Sequence, residues 1–294
     1  MSLNKPVWKL KDWIEIQKID WYNLSLNPNA INLLLKNQDK INWDNFSLNP
    51  NAINILLENF DKINIRNFVQ NDNLLEAFDN IKDKINWLDY IISLSKNKNS
   101  QKIFNKHTNY FKINGLLSCF YEEVINNVKY NISLIKDVNE LLEFKNEIDW
   151  KSFSANPTTI DYLIKNPNKI DWNYLSLNPN GIKLLENNPE KINWNNLNLN
   201  ESEEAIKILE KNPDKINWNL LSSNPFAINI LKQNRDKINY NSLWKNPAIF
   251  ELDYEEIKKN NEEMYDELMM NIMEPSRIIN KINEYSYDYI ELFR

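Results

Sequence analysis

"SLNPNAINLLLKNQDKINW", Ser25 to Trp43, is one copy of a recurring unit. "SLNPNAINILLENFDKINI" follows from Ser47 to Ile65, and "SLNPNGIKLLENNPEKINW" runs from Ser176 to Trp194. Two ladders fix the register. Trp21, Trp43, Trp87, Trp150, Trp172, Trp194, Trp218 and Tyr240 share one slot, with Ile65 filling it between Trp43 and Trp87. The second ladder is Asn-Pro, at Asn27, Asn49, Asn156, Asn178, Asn224 and Asn246, with Asn71 and Asn200 in the same slot without proline. The step between aromatics is 22 residues from Trp150 to Trp194 and 24 from Trp194 to Trp218. A fixed period of this length is the signature of stacked repeats.

Each unit translates into backbone. Asn before Pro predicts an N-cap followed by proline at the first helical position, where its missing N–H costs nothing. Ile31, Leu34 and Leu35 then share one face at helical spacing and are expected to fill the core. Asn37 follows the last turn, where Asn tolerates the left-handed region, and sister units add a proline there, as at Asn166-Pro167, Asn188-Pro189 and Asn212-Pro213. The predicted helix is about nine residues, two to three turns. Asn42, or Asp20, Asp149 and Asp171 in sister units, caps a second helix opening at the aromatic. Four residues with a capping side chain inside them favour this over a strand of the leucine-rich-repeat kind. Helices this short are marginal alone, so their apolar residues must be buried between neighbours. The predicted fold is all-α, an α-solenoid of short helix pairs, with the tryptophan ladder as its core.

The rhythm divides the chain. Residues 1–18 read as an N-terminal cap or divergent repeat, 19–90 as repeats, 91–127 as an irregular insertion, 128–249 as repeats, and 250–294 as a C-terminal helical cap. The stretch 128–149 is a degenerate unit, with Val128 and Tyr130 in the Ile and Trp slots. The tail carries Leu268, Met269, Ile272 and Met273 at helical spacing, an expected capping face or a soft docking surface.

Composition narrows the function. The chain has 294 residues, a formal net charge of -6, 2 glycines, 10 tryptophans, one cysteine and one histidine. So few glycines leave no phosphate-cradling loop, and one Cys with one His excludes an intramolecular disulfide and the usual four-ligand zinc sites. No cofactor, metal or catalytic residue is expected. "MSLNKPVWKLKDW" does not read as a signal peptide, and no apolar run approaches the roughly 20 residues that span a bilayer. An intracellular protein, not a secreted one, is expected. Abundant Asn, Ile and Lys fit an AT-rich genome. The segment around Lys102, Lys106, His107 and Tyr110 mixes basic and aromatic residues, which suits single-stranded nucleic acid. The acidic chain argues against phosphate binding and for a longer helix pair with solvated lysines. Cys119 reads as a small buried hydrophobe, and no motif supports a Cys-His catalytic pair.

The unit "LSLNPNAINLLLKNQDKINW" resembles repeat proteins of giant DNA viruses, the mimivirus-like and chlorella-virus-like groups, whose pattern is Leu-Ser-x-Asn-Pro-x-Ala-Ile-x-Leu-Leu followed by Asp-Lys-Ile-Asn/Asp-Trp. The resemblance covers about residues 19–90 and 128–250. The tail "MEPSRIINKINEYSYDY" is similar to a family ending with a His-Pro-x-Arg core, but Glu274 stands where His is usual. The resemblance implies a viral source and carries no catalytic residue. A non-enzymatic scaffold that binds a protein of the host or the virion is expected, with a structural component of the virus particle as the alternative. Candidate partner-binding residues are those that vary beside the aromatic, Tyr22, Asp44, Arg66, Tyr174 and Asn196, together with Lys102, Lys106 and Tyr110. Neither a membrane nor nucleic acid is an expected partner.

Overall fold

A computed structural model describes residues 6–95, 97, 99–107, 110–111 and 150–262. They fall into two compact units, a small one up to Lys9 and from Glu251 onward, and a large one over Leu10–Phe250. The small unit takes part in a two-stranded sheet of Trp8–Leu10 and Phe250–Leu252, where the Asp253 N–H donates to the Val7 carbonyl at 2.9 Å. The large unit is built from short helices and 3-10 turns at regular spacing. The expected "KINW" helix starts are present at Trp21–Leu24, Trp43–Phe46, Trp172–Leu175 and Trp218–Leu221.

Each capping prediction has a physical counterpart. The Asn27, Asn49, Asn178 and Asn224 side chains accept the N–H two residues on, across a proline at the start of a 3-10 turn. Such caps stabilise a helix start by about 1 kcal/mol. The turn Pro28–Ala30 runs into the α-helix Ile31–Leu35, so the predicted single helix is a 3-10 turn followed by little more than one α-helical turn. Asn37 is not left-handed: its φ is -135°, and its amide donates instead to the Leu33 carbonyl at 2.9 Å. Asn59, Asn166, Asn188, Asn212 and Asn234 close their helices in the same way.

The core corrects the expected one. Leu24, Phe46, Phe68, Phe153, Leu175, Leu197, Leu221 and Leu243, three residues after the aromatic slot of their repeats, are fully buried. So are Leu34, Leu56, Leu163, Leu185, Leu209 and Leu231. Of the aromatic ladder only Trp87 is enclosed, at 2% exposure; Trp21, Trp43, Trp150, Trp172, Trp194, Trp218 and Tyr240 are half-buried. In a one-turn helix the aromatic and the residue three places on share a side, and the inner place goes to the latter. Ile31 is half-buried and Leu35 is 38% exposed, because a helix this short turns only Leu34 fully inward. Small residues let the backbones approach: Gly181 occupies the slot of Ala30 and Ala52, and a Cβ there would meet Leu175 Cδ1 at 2.9 Å.

Asparagine holds neighbouring repeats together. The fully buried Asn49 amide donates to the Ser25 and Asn27 carbonyls at 3.0 and 2.8 Å. Asn71, Asn178, Asn224 and Asn246 repeat this double donation to the preceding unit. A second rung follows two residues later, where Asn51 and Asn73 donate to the Pro28 and Pro50 carbonyls. A third comes from Asn45 and Asn67, which donate to the Tyr22 and Asp44 carbonyls. A fourth uses serine: the N–H of Asn42, Asn64, Asp171, Asn193 and Asn239 donates to the hydroxyl of Ser25, Ser47, Ser154, Ser176 and Ser222 at 2.9–3.1 Å. Buried polar groups satisfied this completely are compatible with a stable core. The abundance of asparagine thus has a structural reason besides codon usage.

Two features escape the sequence register. Asn97 occupies the ladder slot inside the supposed insertion and donates to the Val69 and Asn71 carbonyls, and Asn99 donates to Asp72. The helix Ser100–Lys106 follows it, so the repeat pattern runs past residue 90. The ladder also continues from the last repeat to the first. Asn27 donates to the Trp244 and Asn246 carbonyls at 3.0 and 2.9 Å, and Asn29 donates to the Pro247 carbonyl. Within the large unit, the repeat after Asn246 in space is therefore the one at Asn27. The readings of 112–149, with Cys119, and of the tail from 263, with Glu274 and the Met face, lie outside the described residues.

Candidate functional site

The residues that vary between repeats sit on the aromatic edge. Tyr22 is 57% exposed and Tyr174 38%, and the Asp44 and Arg66 side chains are also exposed. Asp44 is partly engaged, since its carboxylate accepts from the Asn64 amide at 2.8 Å. The Asn196 amide is committed to the Asn173 carbonyl at 2.8 Å, which makes it a structural rung as well as an edge residue.

The candidates near residue 100 form a second group. Lys102 is exposed. Lys106 lies 3.6 Å from Asp79, which also holds Lys82 at 3.0 Å. The hydrogen bond from Lys82, with the neighbouring cations, holds the Asp79 carboxyl below its ordinary value. Tyr110 donates to the Lys82 carbonyl. His107 packs on Phe78, with ring centroids 4.5 Å apart, and its Nε2 has no hydrogen-bond partner. Burial pushes its pKa below the ordinary value, against the pull of Asp79, so the ring is neutral at pH 7. Asp79 thus offsets one of the positive charges that Lys82, Lys102 and Lys106 bring to this segment.

Along the aromatic edge a cation from the following repeat covers most of the rings. Lys62 lies over Trp43 at 4.8 Å, Lys169 over Trp150 at 5.1 Å, Lys191 over Trp172 at 4.3 Å and Lys237 over Trp218 at 5.0 Å. Each is the lysine of "DKIN" or its equivalent, 19 residues after the ring. Lys18 continues the series over Tyr240 at 4.2 Å, from the first repeat onto the last. Cation–π contacts at such distances are worth about 0.5–1 kcal/mol when exposed.

The series breaks at Trp194. Lys215 is the lysine that would cover it, but its ammonium pairs with Asp214 at 3.0 Å. A groove of about 570 Å³ opens here, lined by Trp194, Asn195, Asp214, Lys215, Asn217 and Trp218 among others. Three local changes accompany it. Asn198 replaces the linking serine and bonds both the Asn217 N–H and the Lys215 carbonyl, at 3.0 and 3.2 Å. A carboxamide reaches further than a hydroxyl, so the rung it makes spans a wider gap. The bond from Asn217 to the Asn195 side chain stretches to 3.4 Å, whereas its counterpart from Asn239 to Asn219 is 2.8 Å. Finally, Leu220 and Phe226 stand where other repeats carry the asparagines of the third and second rungs. The sequence signal for the groove is the 24-residue step together with Asn for Ser at 198.

Among the described residues, no three His, Cys, Asp or Glu side chains converge as metal ligands, and no helix is long and apolar enough to cross a membrane. No protein-family model matches the chain, and neither does any curated protein or solved structure.

Proposed function

We propose that this chain is a non-enzymatic scaffold, an α-solenoid of short helix pairs whose aromatic edge binds a protein partner. The observation that carries this reading is a partition between slots. The leucines or phenylalanines of the core, the linking serines and the asparagines of the Asn-Pro ladder recur between repeats and are buried, whereas the position just after the aromatic holds Tyr22, Asp44, Arg66, Asn173 or Asn195 and is exposed. Repeat proteins separate scaffold from recognition in this way. The resemblance to giant-virus repeats supports a partner of the host or the virion, with the chain itself in the host cell or in the virus particle.

The test uses the full chain with Arg66→Ala and Tyr174→Ala combined, read by affinity capture with identification of the bound protein and by thermal melting. The expected result is loss of one reproducible partner with an unchanged melting temperature. Retained capture, or a loss of capture matched by a loss of stability, would overturn the edge as the recognition surface.

A further inference from the structure

The geometry points to the groove at Trp194 as a seat for a lysine or arginine side chain of an extended, basic polypeptide segment. This rests on the protein-binding reading above and names the chemistry of the partner. The molecule supplies the precedent itself. The ring slot that Trp194 occupies receives an ammonium at Trp43, Trp150, Trp172, Trp218 and Tyr240, at 4.2–5.1 Å from the centroid. At Trp194 that seat is vacant, because Lys215 is turned to Asp214 at 3.0 Å. Trp21 is also without its lysine, since Lys40 pairs with Asp39 at 2.9 Å. There, however, Ser25 keeps the regular rung to Asn42 at 3.0 Å. Among the described residues, Trp194 combines the vacant face with an asparagine in place of the linking serine and an open groove of about 570 Å³.

The rim determines what accompanies the cation. Asn195, Asn217 and Asn219 line the groove with carboxamides, which pair with peptide N–H and C=O groups. The Trp194 indole N–H has no hydrogen bond within the chain among the described residues, unlike those of Trp87 and Trp244, which donate to the Lys82 and Lys18 carbonyls. Charge favours a basic partner. The chain carries a formal net charge of -6, and the groove's own pair, Asp214 and Lys215, sums to zero. An incoming cation can also draw on the Asp214 carboxylate, which is exposed. A phosphate-bearing ligand would find no uncompensated cation among the lining residues.

The test is an NMR titration of the intact chain, following the indole N–H signals with the peptide acetyl-Gly-Lys-Asn-Lys-Gly-amide, its norleucine counterpart and cellotetraose. Expected is a saturable shift at Trp194 with the lysine peptide alone, no shift at Trp172, whose face is already taken, and about twofold weaker binding in Trp194→Phe, followed at the neighbouring Trp218 signal, since a phenyl face holds a cation less well than an indole. Trp194→Phe keeps a ring in the slot, so circular dichroism confirms its fold. Equal binding of the norleucine peptide, a shift with cellotetraose but not with the lysine peptide, or unchanged affinity in Trp194→Phe would each overturn the proposal. If Trp194→Phe still captures the partner that the Arg66/Tyr174 variant loses, the edge reading stands and this seat alone fails.

Discussion

Two of the steps that lack the linking serine, at Asn198 and at Trp244, depart in opposite ways; Val69 and Ile91 fill the same slot elsewhere. At the step from Trp194 to Trp218 the linking serine becomes Asn198, and the interface opens into a groove. At the step from Tyr240 to the first repeat it becomes Trp244, which is fully buried and donates its indole N–H to the Lys18 carbonyl at 2.7 Å. One substitution lengthens a polar rung; the other fills the junction with the largest side chain available. The slot after the short aromatic helix is thus where spacing between repeats is set. The head-to-tail junction otherwise keeps the ordinary contacts, with Asn27 in the amide ladder and Lys18 over Tyr240.

The largest expected effect is at that junction. Trp244→Ala removes a buried indole and its hydrogen bond and is expected to cost about 4 kcal/mol, seen as a lower denaturation midpoint. Because the junction joins the two ends of the repeat array, protease sensitivity should rise first near residues 10–30 and 240–250. A midpoint within error of the parent would mean that the first repeat does not rest on the last in solution.

A pair of variants makes the comparison quantitative. Asn49→Ala leaves the Ser25 and Asn27 carbonyls without their side-chain donor, and Asn27→Ala does the same to Trp244 and Asn246. In each case one carbonyl is orphaned, a second keeps only its backbone donor (Ala30 N–H to Asn27, Ile249 N–H to Asn246), and a cap is lost, together about 3 kcal/mol. If the junction is an interface like the others, the two losses agree to within about 1 kcal/mol, the ordinary scatter between sites. Asn49→Ala destabilising strongly while Asn27→Ala changes nothing is the result that would separate the junction from the interior.

A smaller effect is expected at the groove. Asn198→Ser restores the common rung but removes the buried amide that donates to the Lys215 carbonyl, so stability is expected to fall by about 1 kcal/mol. The narrower step should let Lys215 move onto Trp194. The readout is an upfield ring-current shift of the Lys215 side-chain methylenes, with weaker binding of the lysine peptide. Unmoved lysine signals would mean that Asn198 does not set the spacing.

Much of this was legible in the sequence, for local reasons. The Asn-Pro and Asn/Asp-aromatic pairs predict caps because capping needs only a side chain and its own next turn, and Asn27 and Asn42 cap as expected. What one residue does in the neighbouring repeat was not legible. The same Asn27 amide reaches the carbonyls of a repeat 217 residues away in sequence, and no local pattern distinguishes that from a free N-cap. The tryptophans looked like core because they are large and periodic, yet Leu24 and its counterparts take the inside. Trp244 in a serine slot was the one visible mark of the junction, and Asn198 in the same slot the mark of the groove. Both read as irregularities until the slot's function was known.

The smallest expected effect concerns pH at the junction. Glu15 accepts from the Tyr240 hydroxyl at 2.5 Å and pairs with Lys18 at 3.0 Å. The Tyr240 hydrogen bond, with that from Lys18, holds the Glu15 carboxyl below its ordinary value. Its contribution is therefore present above the ordinary carboxylate range and is lost as pH falls through the depressed value. Lys18 moves the other way, raised chiefly by its bond to Glu15, and Tyr240 is raised by burial and then by Glu15. Their contribution is present below their ordinary values and is lost as pH rises through the raised ones. The junction should be firmest between the two limits; Asp39 and Asp214, held below their ordinary values by hydrogen bonds from Lys40 and Lys215, contribute acid limbs at interior steps. Glu15→Gln should flatten the acid limb of the stability profile and leave the midpoint near pH 7 only slightly lower, because the group is exposed and screened by solvent. An acid limb of the same depth in Glu15→Gln would assign it to other carboxylates, such as Asp79 with its neighbouring cations, and remove the junction as the pH-sensitive step.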